Sequence, residues 1–505
     1  MPAKVFSGAT LGLDGVLVEI EADVLTKGLH QFGVVGLPDA AVKEARDRVS
    51  AAIKNTGFKP PHMSGRVTIN LAPADLPKSS STYDLGMALA FLSATKQIGF
   101  RPEGKFFIGE LALDGRLRRV HGVLPLVLFA KGAGFREIFV PRENAREAAL
   151  VPDMTILAGE RLRDITDHLE GKKLITPEVA TIPERDTHFL GSDMGDIKGQ
   201  GHVKRALEIA AAGGHNILMI GPPGSGKTLL AKTLPSILPN LTFEECLEIT
   251  QIFSVAGQLP RELALIAERP FRSPHHSAST ISLIGGGTLP KPGEISLAHR
   301  GVLFLDEFAE FPRNALESLR QPLEDGTVVV ARAKGTLTFP ARFMLVAAMN
   351  PCPCGHFGDP ERVCGCSPYS REKYRQKVSG PILDRIDLHI EVPRLKFDTL
   401  QERHAGERSA DIRLRVEQAR AIQRERLKHT KRFTNAEFDV KLLEAHCELD
   451  PACQDLLREA VSFYKLSPRA YTRILKVART IADLAGADKL SEAHVSEALH
   501  YRLRS

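Results

Sequence analysis

Gly221-Pro222-Pro223-Gly224-Ser225-Gly226-Lys227-Thr228 follows the apolar run Asn216-Ile217-Leu218-Met219-Ile220 and precedes Leu229-Leu230-Ala231-Lys232-Thr233-Leu234. An apolar strand, a glycine-rich turn and a helix start, in that order, are the context of a phosphate-binding loop. The glycines let successive backbone N–H groups curl around a phosphate chain. Lys227 is placed to reach the outer phosphates, and Thr228 to offer its hydroxyl to Mg²⁺. The stretch predicts a nucleoside triphosphate site served by ATP and Mg²⁺.

The surrounding sequence supplies the other parts of such a site. Gly301-Val302-Leu303-Phe304-Leu305-Asp306-Glu307 is an apolar strand ending in two carboxylates, about eighty residues after the loop. Asp306 is expected to hold the Mg²⁺ shell, and Glu307 to orient and activate a water against the γ-phosphate. A later apolar strand, Phe343 to Met349, ends in Asn350, a polar side chain able to position the same water. Arg385, in Pro381-Ile382-Leu383-Asp384-Arg385-Ile386-Asp387, is a candidate arginine finger for a neighbouring subunit. The competing reading pairs Arg385 with Asp384 or Asp387. Arg469, after Ser467-Pro468, is the candidate second sensor, with Arg473 one turn further along as its rival.

At 505 residues the chain is long enough for two to four domains, and 43% hydrophobic with 25% charged residues is ordinary for a globular protein. No apolar run is long enough to span a bilayer, and the opening MPAKVFSGATLG lacks a signal-peptide pattern, so the expected location is the cytoplasm. A net charge of +6 permits nucleic-acid binding without arguing for it. The division expected is residues 1–170, mixed strand and helix; a polar linker at 171–193; a parallel α/β core at 194–395; and a helical domain at 396–505. Within the first part, Val16–Ile20 and Arg66–Leu71 read as strands, and Ala40–Ala45 and Leu85–Leu92 as helices.

Four of the seven cysteines form two tight pairs, Cys352-x-Cys354 and Cys364-x-Cys366, around Gly355-His356-Phe357-Gly358-Asp359. Two readings stand: four thiolates closing on a structural Zn²⁺, with His356 as a substitute ligand, or a metal-free loop of reduced thiols. Cys246, Cys447 and Cys453 read as isolated small core residues.

Taken together, the P-loop, Leu303-Phe304-Leu305-Asp306-Glu307-Phe308, Ala348-Met349-Asn350-Pro351-Cys352-Pro353-Cys354-Gly355 and Leu383-Asp384-Arg385-Ile386-Asp387 resemble the Mg-chelatase-like AAA+ ATPases, in particular the bacterial ComM/YifB branch. Val34-Val35-Gly36-Leu37-Pro38-Asp39, Asn70 to Lys78, and Arg473 to Leu484 extend the likeness over essentially the whole chain. The resemblance implies a hexameric ATPase with Asn350 in the sensor 1 place. For ComM-like members it implies a DNA motor driving branch migration during natural transformation.

It also implies a family insertion at about 271–297 and a pre-sensor 1 hairpin. The hairpin has sequence support in Thr327–Arg332 and Thr336–Phe339, strand-like runs joined around Lys334-Gly335. Related motors touch DNA with such hairpins, so Arg332 and Lys334 are candidate phosphate contacts, against a solvated tip as the bland reading. His275 and His276, in the other insertion, read either as metal or phosphate contacts or as loop residues at a subunit boundary. The helix region with Arg413, Arg415, Arg420, Arg424 and Arg426 reads either as a DNA-binding face or as an ordinary solvated lid.

Gly122 to Asn144, with Gly132-Ala133-Gly134 and Val140-Pro141-Arg142-Glu143-Asn144, give residues 1–170 a resemblance to the Lon-protease-like (ribosomal S5 domain 2-like) α+β domain. Laid on that pattern, Thr82 falls at the nucleophile position and Leu126 at the position of the activating lysine, with Lys131 displaced by more than a helical turn. A hydroxyl needs a base nearby to attack, so peptidase activity is not expected. The competing functional reading is a chelatase-type ATPase that remodels a protein partner for Mg insertion into a porphyrin.

Overall fold

The structure, a computed structural model, describes residues 2–25, 31–35, 40–73, 81–180, 192–287, 290–332, 335–359, 361–395, 406–430 and 432–502, with backbone alone at 40–43, 332 and 335. Lys78, Lys334 and the stretches 36–39 and 181–191 therefore lie outside the described residues. The chain divides into two compact units, Met1–Arg185 with Phe243–Ala267, and Asp186–Thr242 with Glu268–Ser505. No helix among the described residues is long and apolar enough to cross a membrane.

In the first unit a four-stranded sheet runs in the order Ala3–Leu11, Asp14–Leu25, Arg66–Ala72, Gln31–Val35, antiparallel except for the last pairing. Alternation decides the faces: Val67, Ile69 and Leu71 turn into the core while their neighbours stay partly exposed. The helix Asp84–Ala94 is apolar all round and buried from Asp84 to Leu92, as a helix enclosed on every side must be. A second, parallel sheet joins Lys105–Phe107, Glu137–Pro141 and Thr155–Gly159.

The helix Phe243–Ala256 also belongs to this unit, which corrects the expected 194–395 boundary. Gly122 N donates to Ser254 O at 3.2 Å, and Gln251 Nε2 to Leu13 O at 2.9 Å. Ser254 Oγ donates to the buried Glu147 Oε1 at 2.5 Å. Glu147 also accepts from Leu124 N at 3.0 Å and from Asn144 Nδ2 at 3.2 Å. Burial raises the Glu147 carboxyl above its ordinary range, and these hydrogen bonds offset part of the rise. The expected linker is corrected as well: Glu178 N donates to Ile156 O at 2.9 Å, and the Glu178 carboxylate pairs with Arg142 at 2.8 Å, so the chain is held to the first unit up to there.

The second unit carries a five-stranded, all-parallel sheet. Numbered in chain order, its strands are 1, Ile217–Ile220; 2, Phe271–Arg272; 3, Val302–Leu305; 4, Met344–Met349; and 5, Leu388–Glu391. Their spatial order is 2-3-4-1-5. Strands 3 and 4 are buried at every residue, which explains their unbroken apolar runs. The helices Ser409–Leu427, Pro451–Tyr464, Pro468–Leu484 and Glu492–His500 share one apolar core with the sheet. Ser467 opens the third of these, accepting from Ala470 N, with Pro468 in the first turn.

Candidate active site

In a parallel sheet every strand points the same way, so the tips of strands 1, 3 and 4 emerge along one edge, where ligands of open α/β sheets bind. Strand 1 delivers the P-loop, strand 3 Asp306-Glu307 and strand 4 Asn350. Gly224 and Gly226 take φ of +77° and +88°, which glycine alone adopts without strain. Gly221 is fixed by close approach: a Cβ there would lie 2.2 Å from Val392 O.

Lys227 is buried, and its Nζ donates to Gly221 O at 2.7 Å and Pro222 O at 2.9 Å, with Asn350 Oδ1 at 3.4 Å. Burial lowers its ammonium below the ordinary lysine range, against the opposing charge of Asp306. Thr228 Oγ1 donates to Asp306 Oδ2 at 2.7 Å, so the paired hydroxyl and carboxylate are a hard-oxygen donor set suited to Mg²⁺. Asp306 Oδ1 accepts from Glu307 N at 2.9 Å. Glu307 itself takes φ +52°, uncommon for a residue other than glycine, and its Oε2 lies 2.8 Å from His276 Nδ1. Thus Lys227, Thr228, Asp306, Glu307 and Asn350 come together, and His276 joins them, a contact with Glu307 that the sequence did not indicate.

Arg385 is placed differently from either sequence reading of its partners. It is 5% exposed, donates from Nη1 to Pro381 O at 2.6 Å and pairs through Nη2 with Glu324, not with Asp384 or Asp387. Asp387 is already committed: it receives Asn216 N at 3.1 Å, sits 3.4 Å from His215 Nδ1 and pairs with Arg473. Burial alone would raise the Asp387 carboxyl, but Arg473 and His215 outweigh it and hold it far below the usual range. Of the two second-sensor candidates, Arg473 is therefore tied to strand 5, while Arg469 stands exposed on the first turn of its helix.

His215 Nε2 lies 2.8 Å from Thr480 Oγ1, and Asn435 Nδ2 donates to both Thr480 Oγ1 and Asp483 Oδ2, which also receives Arg426. A chain of buried polar contacts thus links the C-terminal helices to the start of strand 5, at the end of the sheet away from the P-loop. Three of the five arginines named on Ser409–Leu427 make contacts within the unit, while Arg424 stands exposed. Arg426 is spent on Asp483, Arg415 on Glu208 and Glu407, and Arg420 on Ala211 O, all within the unit.

The four cysteines converge. Cys352 Sγ lies 3.4 Å from Cys354 and 3.7 Å from Cys364, Cys354 and Cys364 are 3.6 Å apart, and all four sulfurs lie within 4.8 Å of one another. A hydrogen bond with the His356 backbone, reinforced by neighbouring thiols, lowers Cys354 to about 6. His356 turns to Asp359 at 3.2 Å, so it is not a member of the cluster. Cys246, Cys447 and Cys453 are buried singly, as expected.

The hairpin pairs Thr327–Arg332 with Gly335–Pro340 in register from Thr327↔Pro340 to Arg332↔Gly335. In the first unit Thr82 is buried with Oγ1 3.3 Å from Gly8 O, Leu126 is buried, and Lys131 turns to Pro152 O and Asp153.

A parallel sheet of order 2-3-4-1-5, with a P-loop on strand 1 and an Asp-Glu pair two strands away, defines a P-loop domain of the AAA+ class. Sequence profiles agree: the family described as "Magnesium chelatase, subunit ChlI" matches residues 193–400, "Subunit ChlI of Mg-chelatase" residues 20–144, and "Magnesium chelatase, subunit ChlI C-terminal" residues 406–502. The chain is 46% identical to Competence protein ComM of Haemophilus influenzae, over 99% of this chain and 97% of that protein. It is 44% identical to YifB of Salmonella typhimurium, an uncharacterized protein, over 99% and 97%. It belongs to the Mg-chelatase-like ComM/YifB family. Its first part is also similar to Lon protease of Acinetobacter baumannii, at 27% over 150 residues, 29% of this chain and 18% of that one.

Proposed function

We propose that the chain is an ATP-hydrolysing hexameric DNA motor that promotes branch migration during recombination in natural transformation. The observation that carries the ATPase half is the convergence of Lys227, Thr228, Asp306, Glu307 and Asn350 at one sheet edge. The 46% identity to a protein named for competence supports the DNA half.

In this reading the P-loop amides and Lys227 hold the phosphates of ATP, and Thr228 with Asp306 hold Mg²⁺, which neutralises phosphate charge. Glu307 takes the proton of the attacking water, and Asn350 orients that water. Arg385 serves the site of an adjoining copy, and Arg332 with Lys334 contact DNA phosphates. Because phosphate contacts carry no base information, sequence preference is weak. The cofactors are ATP and Mg²⁺, with Zn²⁺ at the four cysteines, and the working location is the cytoplasm.

The test is ATP turnover measured with branched DNA, single strands or no DNA, alongside a branch-migration assay. Stimulation by DNA together with strand movement is the expected result. Turnover that ignores DNA, with no DNA binding, overturns the motor and leaves a chelatase-type remodelling ATPase on the same core.

A further inference from the structure

The Cys352–Cys366 loop begins beyond the tip of strand 4, two residues after Asn350. Two observations at this loop point beyond the nucleotide site itself.

The first is the shape of the sulfur cluster. A tetrahedral ion with Zn–S bonds of about 2.3 Å has sulfur–sulfur edges of about 3.8 Å. The recorded edges of 3.4, 3.6 and 3.7 Å approach that figure and are far longer than a disulfide bond, about 2.05 Å. All four cysteines are free thiols. Cys366 N donates to Cys364 Sγ at 3.4 Å, an amide–sulfur contact of the kind that orients metal ligands. Only Cys352 is buried, so the thiols are not gathered by apolar packing. Soft thiolates select zinc or iron over Mg²⁺, and single-ion spacing excludes a larger cluster.

The second is where the loop rests. Gly355, at φ +83°, packs on the P-loop so closely that a Cβ would lie 2.6 Å from Pro223 Cδ and 2.7 Å from its Cγ. The same Cβ would stand 3.8 Å from Asn350 Cγ. Tyr374, buried behind the strand tip, hydrogen-bonds with the backbone of Asn350. His356 and Arg394 both approach the Asp359 carboxylate, at 3.2 and 3.8 Å, and hold the far side of the loop.

We propose that Cys352, Cys354, Cys364 and Cys366 bind one Zn²⁺ and that this zinc knuckle is a strut holding Pro223 and Asn350 in place, so that metal loading sets nucleotide affinity. The zinc half stands on the cluster alone; the affinity half rests on the ATP site proposed above. Closing the loop through a metal removes its freedom to swing away from Pro223, and the P-loop then keeps the conformation that receives phosphates. Zinc is here a structural ion and takes no part in proton or phosphoryl transfer.

The experiment uses the full-length chain. Elemental analysis after purification without added metal should give one zinc per chain, and Cys364→Ser with Cys366→Ser should abolish it. Replacement by Co²⁺ should give the strong visible absorption of a tetrahedral thiolate site. Binding of a fluorescent ATP analogue with Mg²⁺ should weaken tenfold or more when zinc is stripped, and recover when it is restored. Gly355→Ala should keep the zinc yet weaken the nucleotide by a similar factor, because the added methyl presses on Pro223. Lys227→Ala should lose the nucleotide and keep the zinc, which separates failure of the ATP site from failure of the knuckle. Thermal unfolding of each variant identifies any that has merely failed to fold. Four titratable thiols with no metal, or a coloured iron centre, overturns the zinc site. Zinc present, with affinity unchanged both by stripping and by Gly355→Ala, overturns the strut.

Discussion

Glu307 illustrates what single residues decide here. Its left-handed φ of +52° turns the chain sharply at the strand tip, directly after Asp306 has taken its amide and the Thr228 hydroxyl. Uncommon backbone of this kind persists where neighbours fix it, and it concentrates at functional sites. Glu307→Gln should keep nucleotide binding while turnover falls about 10²–10⁴-fold, the span of a lost general base. Single-turnover phosphate release measures this, and rapid release would remove Glu307 from its role. Asp387 is the structural counterpart. Removing its charge leaves Arg473 and His215 facing an uncompensated buried site, so Asp387→Asn should cost about 3–5 kcal/mol in unfolding free energy by denaturant titration. Because the folded carboxyl is held below its unfolded value, its contribution is fully present above the unfolded value near 4 and fades as pH falls below that. The stability difference between wild type and variant should therefore shrink in acid; a constant difference down to pH 3 would count against this ionic role.

Among the elements, the helix Phe243–Ala256 departs furthest from the sequence reading. Its sequence lies inside the ATPase stretch, and its apolar spacing says only that it covers some core. Which core is settled by Ser254 and Gln251 reaching Glu147 and the Leu13 carbonyl. Ser254→Ala leaves the buried Glu147 one partner short, a loss of about 1–3 kcal/mol. Hydrogen exchange across 243–256 should accelerate in this variant, while exchange in strands 3 and 4 stays as in wild type. Unchanged protection of the helix would show that Ser254 contributes nothing to its docking. The hairpin is the opposite case: the consecutive β-branched residues Thr327-Val328-Val329-Val330 announced its first strand, and the observed pairing agrees.

At the scale of the whole molecule the central proposal is a site completed by an adjoining copy. Arg385→Ala should retain nucleotide binding and lose turnover, and Lys227→Ala should lose both. Mixing the two variants should restore part of the turnover, since some junctions then combine an intact P-loop with an intact arginine. No recovery in mixtures, with both proteins folded by thermal melting, would confine Arg385 to its contact with Glu324. Composite action, if found, would also make turnover rise more steeply than linearly with protein concentration.

By itself the sequence determined the P-loop, the Asp306-Glu307 tip, Asn350 and the paired cysteines, because each is a short run whose chemistry depends on its immediate neighbours. Only the tertiary structure decided that Arg385 meets Glu324, that Asp387 gathers His215 and Arg473, that Arg415, Arg420 and Arg426 turn inward, and that Gly355 rests on Pro223. Those contacts join residues tens to hundreds of positions apart. Burial makes each charge find a partner, and the fold, not local spacing, determines which partner lies within reach.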